Sequence, residues 1–187
     1  MGKAAFGQPF FILPNYLICL MDSLTAFVQL FTLADGEASQ RITTRLALVL
    51  RDPAAYQEQF AEELAERDIV AALPAQELRD VALIDALLSE DLLWEADWQD
   101  PAADTAEGLS DILVQQQREG RLRLANNRSA SGPDLLDAVQ EVLEPLTLAL
   151  VLLTLDSDSY PLSVVADAQA EDARRLAQEL GFTLTVY

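Results

Sequence analysis

Histidine is absent from this sequence of 187 residues, lysine and cysteine occur once each as Lys3 and Cys19, and there are only seven glycines. Each shortage removes a class of chemistry. Without histidine there is no Ser-His-Asp or Cys-His machinery, no imidazole-ligated zinc and no histidine proton relay. One cysteine makes neither an internal disulfide nor a Cys₄ zinc site, so nothing argues for an oxidising compartment. A Walker-type phosphate loop needs Gly-Lys-Ser/Thr, and the one lysine stands in Gly2-Lys3-Ala4. No Gly-x-Gly-x-x-Gly, Asp-Thr-Gly or Asp-Ser-Gly occurs; Asp104-Thr105-Ala106 only approaches the last pair. Carboxylate, hydroxyl and guanidinium chemistry remains, and no cofactor is implied.

What is present in excess is acid. Against 12 basic residues stand 31 acidic ones, a formal net charge of −19, while 51% of residues are hydrophobic. That composition suits one globular domain with a sizeable apolar core and its charge on the surface. Such a surface repels nucleic acid and anionic membrane, so a macromolecular partner is expected to be a basic protein. Solubility alone also accounts for excess acid.

Residues Met1 to Leu20 differ from the rest. They contain no acid and hold three of the seven phenylalanines, Phe6, Phe10 and Phe11. A secretory signal is poorly matched, because Pro14-Asn15 interrupts the apolar run and no Ala-x-Ala follows. A membrane span needs about 20 apolar residues, and this run is shorter. The reading favoured by the break at Met21 is an upstream extension over 1–20, from a mis-assigned start or from expression engineering. Met21 is then the natural start and 21–187 a single domain. A short arm packed on that domain is the other reading.

The pattern of the remainder predicts helices and then strands. Asp22 or Ser23 is positioned to cap a helix carrying Leu24, Phe27, Val28 and Phe31, with Gly36 as its stop. Ser39 is positioned to cap a second helix. Asp52-Pro53 opens a third, with Tyr56, Phe60 and Leu64 in register. A helix over 75–89 puts Leu78, Val81, Ala82, Asp85 and Leu88 near one face. Alternation from Leu92 to Trp98 predicts a strand. A helix over 104–119 stops at Gly120, a short strand covers 121–124, and Asp134 caps a helix ending before Pro145. Leu146 to Leu155 reads as a buried central strand. A turn at Asp156–Ser159 and a strand over 161–166 make it a hairpin. Asp167 caps a helix closed by Gly181, and 182–187 is a last strand, reached by a right-handed crossover. The expected fold is α+β, a helical N-terminal part packed on a small mixed β-sheet with a C-terminal ββαβ unit.

Two acidic pairs are candidate metal ligands. Glu95 and Asp97 share a strand face about 7 Å apart, with Asp100 and Asp104 close by, and Asp156 and Asp158 follow the central strand. Oxygen ligands of this kind suit Mg²⁺ or Ca²⁺, or could divide acid and base roles. A solvated strand face and a polar hairpin turn explain the same residues. Trp94 and Trp98 fall on one strand face, as core or, where exposed, as a binding surface. Arg121, Arg123 and Arg128 could grip an acidic partner, or could simply offset neighbouring carboxylates.

The segments Leu64-Ala65-Glu66-Arg67-Asp68-Ile69, Leu83-Ile84-Asp85-Ala86-Leu87, Glu95-Ala96-Asp97-Trp98 and Leu155-Asp156-Ser157-Asp158-Ser159-Tyr160 carry a resemblance. Together they resemble the uncharacterised bacterial domain of unknown function 6630 family, over residues 21–187. The sequence departs at Gln99, where the family pattern carries lysine, so no role is transferred there. The resemblance implies a bacterial, cytoplasmic setting and no activity. Two functional expectations follow. The first is a non-catalytic interaction or immunity/inhibitor-like module that binds a basic protein. The second is a metal-dependent enzyme using a carboxylate cluster.

Overall fold

The computed structural model describes residues 14–33, 35–97, 100–124, 133–154 and 159–187. Helices α1 (Pro14–Thr32), α2 (Gly36–Arg51), α3 (Pro53–Gln59), α4 (Ala61–Glu66) and α5 (Ala75–Leu88) come first. Strand β1 (Trp94–Asp97), helices α6 (Ala102–Gln115) and α7 (Pro133–Leu143), then β2 (Leu148–Leu153), β3 (Ser159–Ala166), α8 (Ala170–Leu180) and β4 (Leu184–Val186) complete the α+β domain.

The strand order is β1-β3-β2-β4. Leu150 faces Val164 across the β2–β3 pair, Ala96 faces Tyr160 across β1–β3, and Leu152 faces Thr185 across β2–β4. All three pairings are antiparallel, so the sheet is not mixed. The outer edge of β3 is taken by β1, and α8 therefore carries β4 over to the free edge of β2. The ββαβ order stands, with β3 and β4 parallel but separated by β2.

Period-two alternation distributes the central strands between two cores. Ala149, Val151, Leu153 and Val165 join the core built from α1, α2, α5 and α8. Leu148, Leu150, Leu162 and Val164 join the opposite core, under α6 and α7. This double burial is why β2 reads as an unbroken apolar run.

Several local expectations are corrected. Helix α1 begins at Pro14, which suits a first helical position, so Asp22 and Ser23 lie inside it rather than capping it. Asp35, not Ser39, caps α2: its Oδ1 accepts from the Glu37 and Ala38 amides, both at 3.0 Å. Gly36 begins that helix instead of ending the one before. Asp52 caps α3 as expected, accepting from the Ala55 amide at 3.0 Å. The third helix divides at Phe60 into α3 and α4, which still leaves Tyr56 and Leu64 buried. Helix α6 ends at Gln115, short of Gly120. Residues 121–124 form no strand; the Leu122 amide donates to Ser110 Oγ of α6 at 3.0 Å instead. Asp167 opens a single 3₁₀ turn and provides no side-chain cap, whereas Gly181 closes α8 in the left-handed region at φ 76°.

Two polar side chains join the layers. The buried Gln116 amide donates to Phe31 O at 3.0 Å and to Val164 O at 2.9 Å, tying α1 to β3. Asp80 Oδ1 accepts from the Thr183 amide at 2.8 Å, which sets the entry to β4. Trp94 packs into the second core against α6, where a Cβ on Gly108 would come within 2.1 Å of its ring.

A Gly108→Ala variant is therefore expected to lose about 1–3 kcal/mol through overpacking. Gly36→Ala meets nothing within 4 Å and is expected to gain up to about 1 kcal/mol from helix propensity. Urea melts of the two variants check this, and equal stability of both with the parent would refute the Trp94–Gly108 packing.

Candidate functional site

The polar centre of the molecule is built around Asp85. Six of its neighbours on α5, from Val81 to Ile84 with Ala86 and Leu87, are buried and apolar, and Asp85 itself is only 8% exposed. A carboxylate in such a position needs charged hydrogen-bond donors. Arg67, at the C-terminal end of α4, donates from Nε to Asp85 Oδ1 at 2.5 Å. The same guanidinium forks onto Glu95 of β1, with Nη1 to Oε1 at 2.9 Å and Nη2 to Oε2 at 3.1 Å. This is the planar bidentate geometry that guanidinium forms and ammonium does not.

Arg45 of α2 approaches Asp85 from the other side. Its Nε donates to the Tyr56 hydroxyl at 3.0 Å, and its guanidinium carbon lies 4.1 Å from the centre of the Phe60 ring. Nη2 lies 2.8 Å from Glu63 and 3.6 Å from Asp85 Oδ2. These last contacts are ion pairs without hydrogen-bond alignment, so Nη2 and Asp85 Oδ2 are both buried with no hydrogen-bond partner. Burial pushes the Asp85 carboxyl up from its ordinary value, opposed first by Arg67 and then by Arg45. Burial also pushes the Tyr56 hydroxyl up to about 12, again against the pull of Arg45.

Glu63, Arg67, Asp85 and Glu95 of this cluster line a cleft of about 850 Å³. Ile69, Leu73, Val81 and Leu88 supply an apolar floor, and Glu63, Glu66, Asp68, Glu77, Asp85 and Glu95 supply six carboxylates against the single guanidinium of Arg67. Glu66, Asp68 and Glu77 are exposed, and none of them has a basic partner among the described residues. Beside the cleft Val70 stands 86% exposed on the irregular segment after α4.

The candidate residues read from sequence fall in different places. Glu95 lies in the cleft, engaged by Arg67. Asp97 follows on the same strand, exposed and outside the cleft lining, with its amide donating to Asp100 Oδ2 at 2.8 Å. Asp156, Asp158, Trp98 and Arg128 lie outside the described residues. Among the described residues no group of three or more His, Cys, Asp or Glu side chains is placed to hold a metal ion. Trp94 is half-buried against α6. Arg121 lies 4.0 Å from Glu107, both of them largely exposed, and Arg123 is exposed. Sequence reasoning did not single out Arg45, Arg67 or Asp85 as a site. The available signal was an acid on the apolar face of the 75–89 helix.

The class defined by these features is an acidic α+β domain with a buried arginine–carboxylate cluster opening into an acid-rimmed cleft. The chain belongs to the family described as Domain of unknown function (DUF6630), whose model matches residues 23–187. No curated protein and no solved structure matches it. No helix among the described residues is long and apolar enough to cross a membrane.

Two pH signatures are expected. A raised Asp85 pKa disfavours the native state when the group is charged. Its contribution is full below the ordinary carboxylate value of about 4 and is lost as pH rises through the folded value. Acidification from neutrality should thus stabilise the parent relative to Asp85→Asn. Tyr56 works in the same sense at alkaline pH. Its contribution is full below 10.0 and falls as pH approaches 12, a loss of about 3 kcal/mol that Tyr56→Phe should not show. Urea melts across pH give both differences, and parallel pH profiles for parent and variants would contradict the cluster as described.

Proposed function

We propose that this chain is a non-catalytic interaction module that binds a basic protein through the acid-rimmed cleft, in the manner of an immunity or inhibitor protein. The observation that carries this reading is the cleft itself. It has an apolar floor beneath carboxylates that outnumber the local cations, with Glu66, Asp68 and Glu77 unpaired among the described residues. A net charge of −19 adds a long-range field that steers a cationic partner towards it. The rim charges would raise the association rate and choose the partner's sign, while the floor and Val70 would supply apolar contact. Charge steering of this kind is screened by salt.

The test is affinity capture of basic proteins with the full chain, at low and high salt, in parallel with a Glu66→Gln/Asp68→Asn/Glu77→Gln variant. Exposed substitutions of this kind should change stability by no more than about 0.5 kcal/mol each. The expected result is a basic protein retained by the parent at low salt and released at high salt, with an association rate about 10–100-fold lower for the variant. Retention of the same protein by parent and variant at equal rates would refute the cleft as the docking surface.

A further inference from the structure

We infer that Asp85 and Glu95 form a guanidinium seat, that Arg67 fills it in the free protein, and that the basic partner delivers its own arginine there. The inference rests on the docking reading above and gives the partner's key group a chemical identity.

The seat and its occupant differ in how they are held. Asp85 lies within α5 and Glu95 within β1, so both carboxylates are fixed by regular structure. Arg67 lies just past α4, where its amide and those of Asp68 and Ile69 close the helix end onto Leu64 O and Ala65 O, with Asp68 in the left-handed region at φ 60°; an irregular segment then runs to α5. An occupant at a helix end that leads into an irregular segment opens at lower cost than one inside a helix. The seat is also only partly satisfied. Asp85 Oδ2 is buried with only the Arg45 ion pair at 3.6 Å and no hydrogen bond, and Asp85 lines the cleft. A buried carboxylate oxygen in that condition favours a further donor. Arg67 and Glu95 are themselves 22% and 28% exposed at their side chains, so the fork is accessible from the cleft. The hydrogen-bond pattern selects guanidinium, since Nε, Nη1 and Nη2 each take a separate carboxylate oxygen across two residues. A lysine ammonium presents a compact point charge and cannot reproduce that planar fork. The seat therefore distinguishes arginine-bearing partners from lysine-bearing ones, which the rim carboxylates alone would not.

The experiment compares two probes: a short leucine-rich peptide whose cations are all arginine, and its lysine counterpart. Both are titrated into the full chain, into Arg67→Ala and into Arg67→Lys, which keeps a positive charge beside Asp85 while giving up the fork. If Arg67 fills the seat in nine molecules of ten or more, vacating it raises affinity for the arginine peptide about tenfold or more. The lysine peptide should gain far less, and a second substitution, Glu95→Gln, should remove the gain. If Arg67→Ala does not fold, Arg67→Lys alone gives the same comparison. Salt-sensitive binding of both peptides to the parent, with no arginine-selective gain in either variant, overturns the seat and leaves the acid-rimmed surface standing. An arginine-selective gain in the variants, with no binding of either peptide by the parent, supports the seat and overturns the surface reading.

Discussion

A carboxylate in the middle of an apolar helix is the constraint around which the N-terminal half is arranged. Asp85 sits among buried Leu83, Ile84, Ala86 and Leu87, where an unpaired charge would be severely destabilising. Its neutralisation requires guanidiniums from two directions. Arg45 must come from α2 and Arg67 from the end of α4, so three helices are held in mutual register by one acid. At the break between α3 and α4, Phe60 lies under Arg45, while the end of α4 brings Arg67 to Asp85. Glu95 then fastens the sheet to this helical assembly through the Arg67 fork.

Three other buried polar side chains serve connection. Gln116, Ser163 and Asp80 are each buried and each bonded to backbone distant in sequence: Phe31 and Val164, Leu92, and Thr183. A sheet buried on both faces gains apolar contact from two layers of helix but has no solvated face on which to place polar residues. Backbone groups such as Val164 O, Leu92 O and the Thr183 amide are consequently bonded by side chains from other elements. This economy leaves the outer surface to carry nearly all the acid. It also makes the cleft beside α4 and α5 distinctive, because apolar floor, carboxylate rim and half-buried arginine meet there.

Much of this was legible along the chain. Strict alternation and an unbroken apolar run indicated β1 and β2, Gly181 marked the end of α8, and Asp52-Pro53 marked the start of α3. These signals are local, set by backbone geometry and by which face is wet. Misplaced features had competing local signals: Asp35 and Ser39 are both good caps, and only the fold decides which amides are free. The strand expected over 121–124 failed because the Leu122 amide is taken by Ser110 of α6, a contact that the assembled structure sets.

The candidate site divides in the same way. Sequence alone determined the excess of acid, the absence of histidine chemistry, and the presence of one acid on the apolar face of the 75–89 helix. Those are matters of composition and period, and no folding is needed to read them. Only the tertiary structure decided that Asp85, Arg45, Arg67 and Glu95 meet, since the four lie on four elements and ion pairing acts over a few ångströms of space rather than of chain. It also decided that Glu95 faces an arginine while Asp97, two residues on, faces outward beyond the cleft.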